Sequence, residues 1–159
     1  MATVPALQTI RSQTPASQPQ LSERLNALVE SDLAYSDLPV VSPAARQAVE
    51  AEMQAMTSLL QPTDPERISD MLGSLAGLYP AGKMTAAEAD AQNALYCDLL
   101  KDIPHDILKL AFRSAAQEHK FFPTVAELRE LARPHRARRA RRFNALKLIA
   151  TKYDLESGS

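Results

Sequence analysis

Tryptophan is absent, cysteine occurs once and glycine four times among the 159 residues, and each shortage closes a structural route. The lone Cys97 makes neither an intramolecular disulfide nor a thiolate-rich zinc site. That excludes disulfide-stapled secreted scaffolds and points to a reducing compartment. So little glycine leaves few tight turns for an all-β design, while abundant Ala and Leu favour helices. No apolar run approaches the roughly 20 residues that span a bilayer. The segment from Met1 to Gln20 is polar, carries Pro5, Pro15 and Pro19, and has no signal-peptide core. The expected location is the cytoplasm.

Charge of one sign is missing overall, because the formal net charge is only -1. Its distribution is uneven: residues 1–128 hold 9 Lys/Arg against 16 Asp/Glu, and residues 129–159 hold 9 against 3. Such segregation suggests that the last thirty or so residues meet a polyanion or an acidic protein surface, the plainer alternative being a solvated helix face.

The periodicity predicts an all-α fold, a small helical bundle with a disordered N-terminal arm and a basic C-terminal helical extension. Residues 1–20 lack a period and form the arm. Over 21–62, Leu21, Leu25, Leu28, Val29 and Leu33 make a short helix behind Ser22. A second helix starts at Ser42-Pro43 and carries Ala45, Val49, Met53, Met56 and Leu60. Whether these two dock on the rest is left open. The core domain is placed at 63–133, where Thr63…Glu66, Thr85…Glu88 and Thr124…Glu127 share capping-box spacing.

Behind the first box, Ile68, Met71, Leu72, Leu75 and Leu78 are expected to face inward, and behind the second, Ala89, Tyr96, Leu99 and Leu100. A helix near His105 to Glu118 buries Ile107, Leu108, Ala111, Phe112 and Ala115. The third box opens a helix with Leu128, Leu131 and Ala132, which meets Pro134 and resumes as a basic extension over 134–159.

Enzymatic constellations are scarce, and neither a catalytic site, a metal site nor a cofactor is expected. His105 and His119 lie 14 residues apart, about 21 Å along one helix and too far to share a metal. Asp98 and Asp102 sit one turn apart, but solvation and capping account for them better than acid-base work. Gly73 and Gly77 have no phosphate-loop context and read as helix-packing glycines. Cys97 reads as a small core residue.

The strongest signal is the basic stripe Arg129, Arg133, Arg136, Arg138, Arg139, Arg141, Arg142 and Lys147, several of which a helix places where they can track phosphates. Interleaved with it, Phe143, Leu146, Ile149 and Tyr153 recur at spacings of three, three and four, a set suited to insertion into a partner's hydrophobic groove.

Within 78–132 a further set of landmarks stands in a definite order. These are Leu78-Tyr79-Pro80, Tyr96 followed by Leu99, Ile103-Pro104, Leu108, Ala111, Phe122-Pro123-Thr124 and Glu127-Leu128. The order resembles the phage replicative-helicase loader/inhibitor family, small proteins that bind a bacterial hexameric replicative helicase; this chain has Tyr96 where the family often shows tryptophan. The resemblance covers about a third of the chain. It implies a non-enzymatic phage or prophage replication accessory protein in the bacterial host cytoplasm, with the helicase as partner and the basic extension as the contact. The same aromatics, Tyr79, Tyr96, Phe121 and Phe122, also have a purely structural use as core bulk. The competing expectation is a small nucleic-acid-binding regulator in which the arginine helix contacts DNA or RNA phosphates directly.

Overall fold

The computed structural model describes residues 19–31, 34–80 and 82–158, and among these the chain is all-α, with no strand. The helices are α1 Glu23–Glu30, α2 Pro43–Ser58, α3 Pro65–Ala76, α4 Ala86–Leu100, α5 His105–Glu118 and α6 Val125–Ser157. A 3-10 turn at Tyr35–Asp37 lies between α1 and α2. The arm expected over 1–20 falls almost wholly outside the described residues, as does Leu33.

The helix starts follow from capping chemistry. The Ser22 and Ser42 hydroxyls accept from the amides of Leu25 and Ala45, and Pro43 occupies a first-turn position where no amide is lost. Thr85 with Glu88, and Thr124 with Glu127, form reciprocal capping boxes. Within them the carboxylates of Glu88 and Glu127 are held below the ordinary value, chiefly by the backbone amides of Thr85 and Thr124.

The box expected at Thr63 is not formed. Pro65 is the first residue of α3, so the cap falls one position later, on Asp64, whose carboxylate accepts from the Glu66 amide at 2.8 Å. Thr63 is instead buried: its amide donates to Lys101 O at 2.8 Å and its hydroxyl to Ile103 O. Together with a bridge between Pro62 and Pro104, this ties the entry of α3 to the entry of α5.

The buried residues divide into two clusters. The first joins α3, α4, α5 and the start of α6 around Ile68, Leu100, Ile103, Leu108, Ala111 and Leu128, each with no exposed surface. The second joins α1, α2 and the latter half of α6 through Leu25, Val29, Leu38, Val49, Met56, Leu146, Ile149 and Ala150. α6 is therefore the shared element. The helices of 21–62 do dock, and they dock on α6.

Several expected inward positions lie outside. Leu60 and Leu78 follow the ends of α2 and α3, where the helical period no longer applies, and are 46% and 67% exposed. On α4 the buried face runs through Tyr96, Cys97 and Leu100, which leaves Ala89 and Leu99 in solvent. Gly73 is exposed, with nothing within 4 Å of where a Cβ would stand, so it does not serve close helix packing.

Pro134 neither ends nor divides α6, which runs 33 residues without a break. A proline inside a helix costs about 3 kcal/mol. Burial of α6 on both sides of Pro134 and the ion pairs beside it offset that loss, so the boundary expected at 133/134 falls inside one continuous element.

Candidate interaction surface

The basic stripe is largely engaged within the molecule. Arg129 donates to both carboxylate oxygens of Asp102, at 2.7 and 3.0 Å, and to Leu99 O. Arg136 reaches the same carboxylate at 3.1 Å. Arg139, whose side chain is 15% exposed, pairs with Asp106 and donates to Leu59 O.

Arg142 is the most connected of the set. It bonds Glu30 at 2.9 Å, Glu52 at 3.0 Å and the Asn26 amide oxygen at 2.7 Å, joining α1 and α2 to α6. Arg138 adds a bond to Glu30 at 3.1 Å. At the far end Arg46 of α2 grips Asp154 of α6.

The electrostatics agree with the geometry. Asp102 is held below its ordinary value of 3.8 first by the Arg129 hydrogen bond, and Asp106 likewise by Arg139, with burial opposing in both. Glu30 is lowered from 4.5 by its bonds to Arg138 and Arg142. A phosphate at these guanidiniums competes with the carboxylates already there, weakly where the arginine is exposed, as Arg138 is at 70%. Three cations of the stripe meet no carboxylate of another helix among the described residues: Arg133, which pairs with Glu130 one turn before it, and Arg141 and Lys147.

The apolar set is also occupied. Leu146 and Ile149 have no exposed surface, and Phe143 packs half-buried beside them against residues of α1 and α2. Tyr153 is half-buried near the end of α6. The spacing that suggested a groove-docking helix is satisfied by α1 and α2, because an amphipathic stripe is covered by whichever apolar face reaches it first. Sequence reading missed these acceptors, Glu30, Glu52 and Asp106, since nothing local links residues so far apart. The acidic-then-basic segregation was their one trace.

Four of the landmarks within 78–132, Tyr79, Tyr96, Phe122 and Pro123, lie together, whereas Leu78 and Leu99 are exposed. The Phe122 ring lies 5.8 Å from Tyr79, edge-on, and 5.9 Å from Tyr96. The Tyr79 hydroxyl donates to the carbonyl oxygens of Ala115 and His119, occupying the C-terminal end of α5, and the Tyr96 hydroxyl donates to Pro123 O at 3.0 Å. Burial raises the Tyr96 hydroxyl above its ordinary pKa. Phe121, expected in the core, is 75% exposed, with the Lys120 ammonium 5.8 Å from its ring centre.

Among the described residues no group of three His, Cys, Asp or Glu side chains is placed to hold a metal ion. Asp98 pairs with Lys101 at 2.6 Å, and the Cys97 thiol, raised by burial, donates to Pro65 O. No helix among them is long and apolar enough to cross a membrane. Comparison of the chain with protein-family models, with curated proteins and with solved structures finds no match.

Proposed function

We propose that this protein is a non-enzymatic accessory factor of bacterial DNA replication, encoded by a phage or prophage and acting in the host cytoplasm by binding the hexameric replicative helicase as loader or inhibitor. The observation that supports this reading most is that four of the residues carrying the resemblance, separated in sequence, lie together: the Phe122 ring sits beside Tyr79 and Tyr96, and the Tyr96 hydroxyl donates to Pro123 O. With the apolar stripe of α6 covered by α1 and α2, contact with a helicase falls to surfaces that remain open or requires those helices to move aside.

The test is a binding measurement between the tagged full-length chain and purified bacterial hexameric replicative helicases, with and without nuclease. A complex that survives nuclease and low salt is the expected result, and failure to bind any helicase while folded removes the reading.

A second reading, direct binding of nucleic acid, draws first on Arg133, Arg141 and Lys147, the exposed cations that meet no carboxylate of another helix among the described residues. Three phosphate contacts would give a slope of log affinity against log salt of about -3 on duplex DNA. A slope near zero, or no binding at low salt, excludes it.

A further inference from the structure

The groove between α3 and α5 lies away from the arginine network. Its floor is apolar: Leu75 and Phe112, 4% and 6% exposed, with Met71 half-buried beside them. At one end stands Leu78, 67% exposed, held just past α3 by the hydrogen bond its N–H donates to Leu75 O. The groove encloses about 340 Å³. Along α3, from Asp70 to Ala76, it runs about 9 Å at 1.5 Å per residue, with Leu78 beyond the helix end.

Its charge differs from that of α6. There most of the arginines meet carboxylates outside α6, whereas Lys109 and Arg113 line the α5 rim one turn apart and form no ion pair among the described residues. Two like charges at this spacing repel modestly, and a carboxylate placed between them relieves that repulsion. The opposite wall offers one carboxylate, Asp70. An apolar floor a little under two helical turns long, one exposed leucine and a rim of two cations that form no ion pair among the described residues together define the occupant.

We propose that the α3–α5 groove is a docking site for an acidic amphipathic helix of a partner protein. Apolar side chains at helical spacing pack on Met71, Phe112 and Leu78, and an Asp or Glu on the edge facing α5 meets Lys109 and Arg113. A phosphate polymer matches the cations and leaves the floor uncovered. A neutral apolar helix covers the floor and leaves the cations unmatched.

The test uses the full-length chain as bait for a displayed library of helical peptides of about 14 residues, four turns. Recovered sequences should combine Leu, Ile or Phe at three- and four-residue spacing with Asp or Glu on one edge. They should lose binding to Leu78→Glu. Lys109→Glu combined with Arg113→Glu should weaken the acidic peptides about tenfold, as two exposed charge pairs allow, and should recover basic peptides from the same library. All three positions are exposed, so thermal melting of the variants should match the parent.

Recovery of no peptide above the Leu78→Glu background overturns the proposal, as does recovery of the same acidic sequences by the charge-reversed bait. A parent chain that dimerises through the groove, and becomes monomeric in Leu78→Glu, identifies a second copy as the occupant and equally overturns it. Helicase binding plays no part in these outcomes.

Discussion

The two buried clusters share α6 but hold it in different ways. Around the first, α3, α4 and α5 follow one another in sequence, and fourteen buried residues enclose the start of α6. Around the second, eight buried residues join the two N-terminal helices to the C-terminal half of α6. The ion pairs divide likewise: Arg129, Arg136 and Arg139 reach carboxylates 27 to 34 residues away, whereas Arg142 reaches carboxylates 90 and 112 residues away. Each doubling of a closed loop costs about 0.6 kcal/mol, so the second set carries about 1 kcal/mol more closure entropy than the first. Less burial and longer closure make the α1–α2 pair the less stable unit, the one expected to open first.

The largest effect should come from breaking the stronger side. Leu108 has no exposed surface, and Leu108→Ala should cost about 2–5 kcal/mol in chemical denaturation. Because α6 rests on this cluster before it can present its second half to α1 and α2, protection from hydrogen exchange should fall in all six helices. A loss confined to α3–α5 would show that the second unit stands without the first.

Leu146→Ala attacks the other side. Leu146 is equally buried, but in the smaller cluster. The local cost should again be about 2–4 kcal/mol. Its signature differs: faster exchange in α1, α2 and the end of α6, with α3, α4 and α5 as protected as before. Uniform loss across all helices would mean that the two clusters unfold as one.

The arginine network predicts a smaller, solvent-dependent effect. Arg142→Ala removes bonds to Glu30, Glu52 and Asn26, and with the side chain 21% exposed it should cost about 1–2 kcal/mol, less in high salt. Acid should act in the same direction. Glu30, Asp102 and Asp106 have folded pKa values depressed by arginine. Their contribution is therefore complete above the ordinary carboxylate range and is lost as pH falls through the depressed folded values. Denaturation midpoints should be level from neutral pH down to about 5 and then decline, with exchange in α1 rising first. A midpoint unchanged at pH 3 would remove the ion pairs from the stability of both units.

What could be read from the chain alone follows the same division. Helix existence and most starts were legible because capping is local: Ser22, Ser42, Thr85 and Thr124 each act within three residues of themselves. Thr63 misled because Pro65 moved the cap by one position, a competition between two local signals that spacing alone does not rank. Pro134 misled for the opposite reason, since local cost was outweighed by burial on both sides. The stripe Phe143, Leu146, Ile149 and Tyr153 was visible as a face needing a partner, but a sequence period does not say whether the partner is another protein or the same chain's own α1 and α2. The groove beside Lys109 and Arg113 left no sequence trace, because it arises from where α3 ends and how α5 crosses it.

The smallest effect sharpens the comparison by strengthening one side. Gly73 sits inside α3 in a helical conformation, exposed, with open space where a Cβ would project. Alanine there restricts the unfolded chain without any contact to disturb, so Gly73→Ala should stabilise by about 0.5–1 kcal/mol. The gain belongs to the first cluster, because α3 packs on α4 and α5 and contributes nothing to the α1–α2 contact with α6. Global unfolding in denaturant should move to higher concentration, while the faster, sub-global exchange of α1 and α2 should keep its rate. Equal slowing of exchange in α1 and α2 would show that their opening passes through the first cluster, and the two units would then be one.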